Sequence, residues 1–253
     1  MTRAAAWAAR AATSVVVLTA AAIVLTGCGA SPAAQGPAGI DGLTIPTPSP
    51  DPSEFGAGAQ NQWFPLEPGT RWTYRQDTPT DHRAVIATVL TRPHPVDGVS
   101  TAAVRWRVRD RAGTRTAMVR WYAVDDAGNV WWFGQRVSPH AEPLDRLAPR
   151  SWLAGADGAE AGLVLSATPR RGDGYANARE PRVVARRSTV VSLTGTVTTA
   201  DRTFHDTVVT RDLSSLAPLH TVQTYYGRGL GIVAQQDTTA TSITLSLVRV
   251  RRG

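Results

Sequence analysis

The chain has 253 residues, with 27 lysine or arginine and 20 acidic side chains and a formal net charge of +7 at pH 7. All 27 are arginine, and they are scattered through a sequence rich in Ala, Arg, Gly and Val, which argues against a nucleic-acid-binding protein. The single cysteine, Cys28, excludes a disulfide within the chain, so the folded part must be held together by its core.

The N-terminal segment, residues 1–27, has the three parts of an export signal. Arg3 and Arg10 form a short basic start, and an uncharged, mostly apolar run at 11–24 follows, which is too short for a membrane-spanning helix. The segment ends in Leu-Thr-Gly before Cys28, which resembles the lipobox of bacterial lipoproteins. The resemblance implies cleavage before Cys28, a lipid on its sulfur, and a location on the extracytoplasmic face of the cell membrane.

Residues 28–60 are predicted to be a disordered tether. The stretch is rich in Pro, Gly, Ala and Ser, with four prolines between Pro46 and Pro52, and it has no apolar periodicity. Such a segment cannot bury enough surface to offset the entropy lost on ordering. Residues 61–253 then remain as the folded domain.

The pattern of this domain is β. Arg105 to Arg109 alternates charged and apolar side chains, as expected for a strand with one wet face. Two further runs, 117–123 and 130–133, flank a turn signal at 125–129, which predicts a hairpin. More strands are predicted at Thr70–Gln76, Ala84–Leu90, Val183–Leu193, Thr207–Arg211, Thr221–Tyr226, Gly231–Gln236 and Ser242–Val250.

Helical periodicity is weak throughout. Only residues 140–153 could hold a short helix or turn, and their prolines limit it. In the last strand the apolar alternation changes phase at Val248, which indicates a β-bulge or a strand end buried on both faces. The predicted fold class is mainly β and antiparallel.

Four motifs resemble a family of uncharacterised bacterial lipoproteins and secreted proteins. They are Phe-Pro-Leu and Pro-Gly before Trp-x-Tyr in 61–74, the Trp-Tyr-Ala and Gly-Asn-Val-Trp runs in 121–134, the Ala/Gly-rich stretch 151–162, and Tyr-Tyr-Gly-x-Gly in 225–233. The resemblance implies a curved antiparallel sheet or open half-barrel, similar to lipoprotein carriers, with short helical or loop cover. It implies no reaction and no catalytic residue.

Catalytic and metal-binding patterns are absent from the sequence. The five histidines lack the spacing of a zinc site, and no nucleophile elbow is present. Asp125, Asp126 and Asn129 fit a turn better than a calcium loop, which needs more oxygen ligands. We therefore expect no enzymatic activity, no metal and no cofactor.

Aromatic residues are the main functional lead. Neighbours such as Trp131 and Trp132 must point to opposite faces of a strand, so one face fills the core while the other lines a cavity or meets a partner. The candidate ligand-binding residues are Trp72, Tyr74, Tyr122, Trp131 and Trp132. Two hypotheses remain open: a carrier of a lipid or other hydrophobic ligand, and a structural or accessory envelope protein that docks on a protein or wall partner through an aromatic face.

Overall fold

The computed structural model describes residues 50–253, except 57, 78–81, 111–112, 140–143, 181 and 240–241. The predicted signal segment 1–27, the predicted lipidation site Cys28 and most of the predicted tether lie outside the described residues. Among the residues that are described, no helix is both long and apolar enough to span a bilayer.

The described residues form fourteen strands and one 3-10 turn at Pro52–Glu54. In chain order the strands are β1 Arg71–Asp77, β2 His82–Val89, β3 His94–Val96, β4 Val99–Asp110, β5 Gly113–Val124, β6 Val130–Val137, β7 Trp152–Leu153, β8 Glu160–Leu165, β9 Gly174–Glu180, β10 Val184–Thr198, β11 Thr203–Ser214, β12 Thr221–Gly227, β13 Gly231–Asp237 and β14 Ser242–Arg251.

Twelve of these strands close into an antiparallel barrel. Their order around the ring is β2, β1, β14, β13, β12, β11, β10, β9, β8, β6, β5 and β4, and β4 pairs again with β2. The prediction of a mainly antiparallel β fold is confirmed. The open half-barrel is only partly right, because six consecutive residue pairs join β2 to β4 and leave no unpaired edge there.

Several local predictions also hold. β5 and β6 form the predicted hairpin, whose turn is fixed by Asp125: its carboxylate accepts hydrogen bonds from the backbone N–H of Asn129 at 2.8 Å and from the Asn129 side chain at 2.9 Å. Of the two alternatives predicted for the last strand, the bulge is present: it lies at Val248, because Thr73 pairs with Arg249 whereas Tyr74 pairs with Leu247.

Other elements were not predicted. β8 and β9 are rich in Ala and Gly and carry a weak alternation, and β3 has only three residues. The helix considered for 140–153 is absent from its described part, 144–153, which is a turn followed by β7.

Two irregular segments cover the barrel ends. Residues 61–70 lie at the end that carries the β5–β6 turn, because the Asn61 amide donates to the Gly128 carbonyl at 2.9 Å. The connection 138–151 follows β6, and its described residues 144–151 lie at the other end. We call these the turn end and the loop end of the barrel.

Candidate functional site inside the barrel

The half of the barrel interior next to the turn end, the turn half, is lined by aromatic side chains; the half next to the loop end is the loop half. Trp72 and Tyr74 pair with Ala87 and Val85 on β2, and the ring of Tyr74 stacks on that of Trp106 with 5.7 Å between centroids. Burial raises the pKa of the Tyr74 hydroxyl well above its ordinary value, so this group stays neutral.

Phe64 enters this aromatic half from the segment before β1. The Asn61 side chain positions it by accepting hydrogen bonds from the backbone N–H groups of Trp63 at 2.8 Å and Phe64 at 3.1 Å. The ring of Phe64 then lies 5.1 Å from that of Tyr122 and 6.2 Å from that of Tyr226. The Pro- and Gly-rich opening of the domain therefore serves to insert one aromatic ring into the barrel.

A small cavity lies among these rings. It is lined by Phe64, Trp72, Tyr74, Val104, Trp106 and Ile232. Its volume is about 10 Å³, room for about one water molecule. The indole N–H of Trp106 is buried and has no hydrogen-bond partner among the described residues.

The loop half of the interior is polar and is centred on Asp212, which is fully buried. Four donors surround its carboxylate: Arg186 Nη2 at 3.1 Å, Ser188 Oγ at 2.5 Å, Thr210 Oγ1 at 2.9 Å and Thr224 Oγ1 at 2.6 Å. These donors come from three neighbouring strands, β10, β11 and β12, so one carboxylate ties three strands together.

A second carboxylate, Asp145, enters the barrel from the connection 138–151. It accepts hydrogen bonds from Arg120 Nη2 at 2.6 Å and from Arg186 Nη1. Burial alone would raise the pKa of the Asp145 carboxyl, but Arg186 and Arg120 outweigh it and hold that pKa well below its ordinary value. Asp145 is therefore ionised at neutral pH and bridges two arginines from different strands, β5 and β10.

Further contacts fix this connection in place. Gln135 on β6 accepts from Arg120 Nε at 2.9 Å and donates to the carbonyls of Ala148 at 2.6 Å and Arg150 at 2.7 Å. The side chain of Leu147 is fully buried beside them. The loop end of the barrel is thus closed by residues whose backbone and side chains are both bonded to the wall.

The polar and aromatic halves meet at Arg120. Its guanidinium carbon lies 4.8 Å above the ring of Trp132, a cation–π geometry. Two arginines, Arg120 and Arg186, face two carboxylates, so the polar half is neutral in sum. Burial would lower the pKa of Arg186, but Asp145 and Asp212 outweigh it and raise that pKa.

The five candidate ligand-binding residues are divided between the two faces of the barrel. Trp72, Tyr74, Tyr122 and Trp132 belong to the interior. Trp131 instead lies outside the barrel, where its indole N–H donates to Asp125 at 2.8 Å.

The outer face of the β5–β6 hairpin is also covered. The ring of Phe55 packs edge-on against Trp131 at 6.5 Å and Phe133 at 5.4 Å. Trp121, which also faces outward, stacks on His94 of β3 at 5.2 Å. The hairpin is therefore buried on both sides, and neighbouring aromatic residues point to opposite faces as the sequence predicts.

No family model matches the chain. No curated protein matches it either. A solved structure of a Bacteroides fragilis protein described as exported, with a YmcC-like fold, is similar at 14% identity and a TM-score of 0.42, covering 76% of this chain and all of that one. A Parabacteroides distasonis protein described as a lipoprotein is similar at 9% identity and a TM-score of 0.39, covering 77% of this chain and all of that one. Both similarities are too low to carry an inference about function.

The polar cluster was not found from the sequence. Asp145 lies in a proline-rich stretch, and Asp212 lies in a strand in which charged and apolar residues do not alternate cleanly. One signal was present: Arg120 lies between Val119 and Trp121 inside an apolar run, where a charge needs a buried partner. The described residues contain no cluster of three or more His, Cys, Asp or Glu side chains placed to hold a metal ion.

Proposed function

We propose that this chain is an exported lipoprotein anchored to the cell membrane through Cys28, and that its barrel is a rigid docking module rather than a carrier. The lipobox-like ending of the N-terminal segment supports the anchor. The small volume of the cavity among the aromatic rings supports the docking role.

The observation that carries the docking role is the size of the cavity. At about 10 Å³ it is far smaller than the roughly 300–1,000 Å³ of sites that enclose small molecules. In the loop half, the described carboxylates Asp145 and Asp212 are already paired with Arg120 and Arg186. A barrel filled by its own side chains is suited to presenting its outer surface to a partner.

The same contacts support a role without catalysis by the two buried carboxylates. Asp145 is held ionised by two arginines, so it is a poor proton donor at neutral pH. Asp212 is surrounded by hydrogen-bond donors and has no exposed surface, so a substrate has no access to it.

The docking role is tested by the lipid content of the folded domain. Residues 50–253 can be exported with a signal that lacks a lipobox, purified without detergent, and analysed for bound lipid by mass spectrometry. We expect far less than one lipid per protein. Stoichiometric lipid that survives purification would contradict the proposal.

A second candidate, binding of a hydrophobic ligand, is favoured by the buried, unpartnered indole N–H of Trp106 in the aromatic cavity. Trp106→Phe removes this donor and keeps an aromatic ring. If the parent domain retains lipid, loss of that lipid in Trp106→Phe without a change in melting temperature would favour the second candidate. An unchanged lipid content would show that the Trp106 indole N–H does not contribute to ligand binding.

The anchor is tested by Cys28→Ser, with Ser31→Ala as the control. Acylation needs the Cys28 sulfur, so the Cys28 variant should incorporate no labelled fatty acid and should keep its signal or be released by other processing. Ser31→Ala should be acylated normally. Recovery of an acylated, mature Cys28→Ser protein in the membrane fraction would refute the anchor.

A further inference from the structure

Strand pairing gathers arginines that are scattered in the sequence onto one outer wall of the barrel. Trp72 and Tyr74 on β1 face the interior, so the residues between and beside them face outward. Arg71 is one of these, and it pairs with Arg251 on β14 and with Thr88 on β2. Thr88 pairs in turn with Arg105 on β4.

These cross-strand partners form a row across the barrel wall that continues onto β5 and β6, and a second row lies beside it. Arg105 pairs with Val119 on β5, which pairs with Arg136 on β6. The neighbouring row leads from Arg249 through Thr73 and Ile86 to Arg107. Arg109 follows two residues further along β4. We call the seven together the arginine wall: Arg71, Arg105, Arg107, Arg109, Arg136, Arg249 and Arg251.

The strands of this wall carry few acidic residues. The six strands that form it, β14, β1, β2, β4, β5 and β6, contain only two acidic residues, Asp77 and Asp110, both at strand ends. Asp77 is paired with Arg75, which is outside the wall set. Among the described residues no carboxylate lies within ion-pair distance of any of the seven arginines.

The guanidinium groups are available at the surface. Arg105 and Arg107 are half-buried and the other five are exposed. Ile86 and Val119 also face outward yet are only 6% and 9% exposed. Arg107 lies next to Ile86 in its row, and Arg105 and Arg136 lie on either side of Val119, where long arginine stems can cover apolar neighbours. The buried Nε–H groups of Arg105 and Arg107 have no partner among the described residues.

This arrangement fits an extended anionic surface better than a small ligand. Adjacent strands lie about 4.8 Å apart, so a row across six strands spans roughly 24 Å. Guanidinium groups bind phosphate oxygens in a bidentate manner, and the convex wall carries them at many points and encloses none. The headgroup layer of a bilayer that contains anionic phospholipid is such an extended anionic surface.

We propose that the arginine wall docks on the anionic phospholipid headgroups of the membrane that holds the protein. This inference rests on the proposed anchor, which keeps the barrel near that surface. Each arginine at such a surface strengthens binding about fivefold at moderate salt, and the attraction is screened beyond about a Debye length of 8–10 Å. Docking therefore gives the anchored barrel a fixed orientation relative to the membrane.

Two arginines on the opposite side of the barrel serve as a control for the arginine wall. β10 and β11 lie six places around the ring of twelve from β2 and β4. Their exposed arginines, Arg187 and Arg211, face outward, because their neighbours along the strands, Arg186, Ser188 and Asp212, face the interior. Removing two charges there changes the net charge as much as removing two from the wall.

The test uses the full, lipidated chain in vesicles of phosphatidylcholine alone or of an equal mixture with phosphatidylglycerol. Arginines are labelled with phenylglyoxal and the modified sites are read by mass spectrometry. On the anionic vesicles we expect Arg71 to be protected and Arg211 to stay reactive, with the protection lost at high salt. On phosphatidylcholine both should stay reactive.

The matched variants are Arg109→Gln with Arg249→Gln on the wall, and Arg187→Gln with Arg211→Gln opposite it. We expect the wall pair to lower the ratio of protected to reactive Arg71 about 25-fold, since each removed arginine contributes about fivefold. The opposite pair should leave the ratio within about twofold. Thermal melting of each variant checks that the barrel is folded, and the salt dependence of the parent protein tests the wall without any substitution.

Each other outcome is decisive. Equal reactivity of Arg71 on both kinds of vesicle, or equal effects of the two variant pairs, would overturn the arginine wall as a docking surface. Protection only in native membranes that retain their proteins would also overturn it, because the partner would then be a protein. Failure of the anchor gives a different result in a vesicle flotation assay. The protein would not float with phosphatidylcholine vesicles, but an intact arginine wall would still bind it to the anionic vesicles.

Discussion

At the scale of single residues, Asp145 and Asp212 organise the polar half of the interior. Arg186 contacts both carboxylates, and Arg120 contacts Asp145. Buried ion pairs of this kind add little net stability over an apolar core, because their desolvation offsets their attraction. We expect their effect to be on specificity, because residues 144–151 dock where the Asp145 carboxylate meets both arginines.

Removing one charge from this cluster should lower the free energy of unfolding. In Asp145→Asn, two buried arginines face a single carboxylate, and breaking a buried pair in this way costs about 3–5 kcal/mol. Urea unfolding at neutral pH measures the loss. Asp157→Asn is the control, because Asp157 is exposed and its positive backbone φ of 54° suits asparagine. Equal losses in the two variants would contradict the role of Asp145.

The same carboxyl predicts an acid-sensitive contribution to stability. The pKa of Asp145 is lowered in the folded state, so its contribution is fully present above the unfolded value of about 3.9 and is lost as the pH falls toward the folded value. Urea unfolding between about pH 6 and pH 3 should therefore show a steeper decline in the parent than in Asp145→Asn. Parallel declines would contradict this assignment.

At the scale of elements, the β5–β6 hairpin shows what alternation can and cannot predict. The sequence correctly places Trp121 and Tyr122 on opposite faces, because successive strand residues alternate. It does not indicate that Phe55, from a stretch predicted to be disordered, packs over Trp131 and Phe133. A single aromatic residue among Pro, Gly and Ser gives no periodic signal.

Because the hairpin is covered on both faces, truncation on either side should be comparably damaging. Trp121→Ala and Trp132→Ala remove side chains that are 5% and 2% exposed. Each should lower the free energy of unfolding by about 3–5 kcal/mol, the usual range for a buried large aromatic. Chemical denaturation measures both. A small loss for Trp132 alone, with lipid retained by the parent, would instead favour a ligand site on the inner face.

The cover by Phe55 predicts a difference between two chain lengths. A fragment starting at Asn61 should fold, but it leaves the outer rings of Trp131 and Phe133 uncovered. We expect it to be less stable than a fragment starting at Pro50 by about 1–3 kcal/mol, the effect of losing one partly buried aromatic. Phe55→Ala in the longer fragment should reproduce most of the difference. Equal stability of all three would show that residues 50–60 add nothing to the fold.

At the scale of the whole molecule, neither the closure of the barrel nor the arginine wall could be predicted from the sequence, and the reason is the same for both. Both depend on the register between strands that are distant in the chain, such as Arg71 with Arg251. The alternation of Arg105 with Trp106 and Arg107 predicts one charged face on one strand. It does not tell which other strands bring their arginines beside it, so the charges look scattered until the pairing is known.

The buried tyrosines make the whole barrel sensitive to alkali. Burial raises the pKa of Tyr74 and Tyr226 in the folded state, so each stays protonated there while its unfolded counterpart ionises near pH 10. A raised folded pKa gives stability that is fully present below the unfolded pKa and is lost as the pH rises beyond it. We expect cooperative unfolding above about pH 10, with the tyrosinate absorbance of these residues appearing together with the loss of β circular dichroism. Tyr74→Phe, which keeps the ring and removes the ionisable group, should shift this unfolding to higher pH. Tyrosinate formation by all tyrosines before any loss of circular dichroism would mean that the interior is open to hydroxide, and the filled barrel would then be wrong.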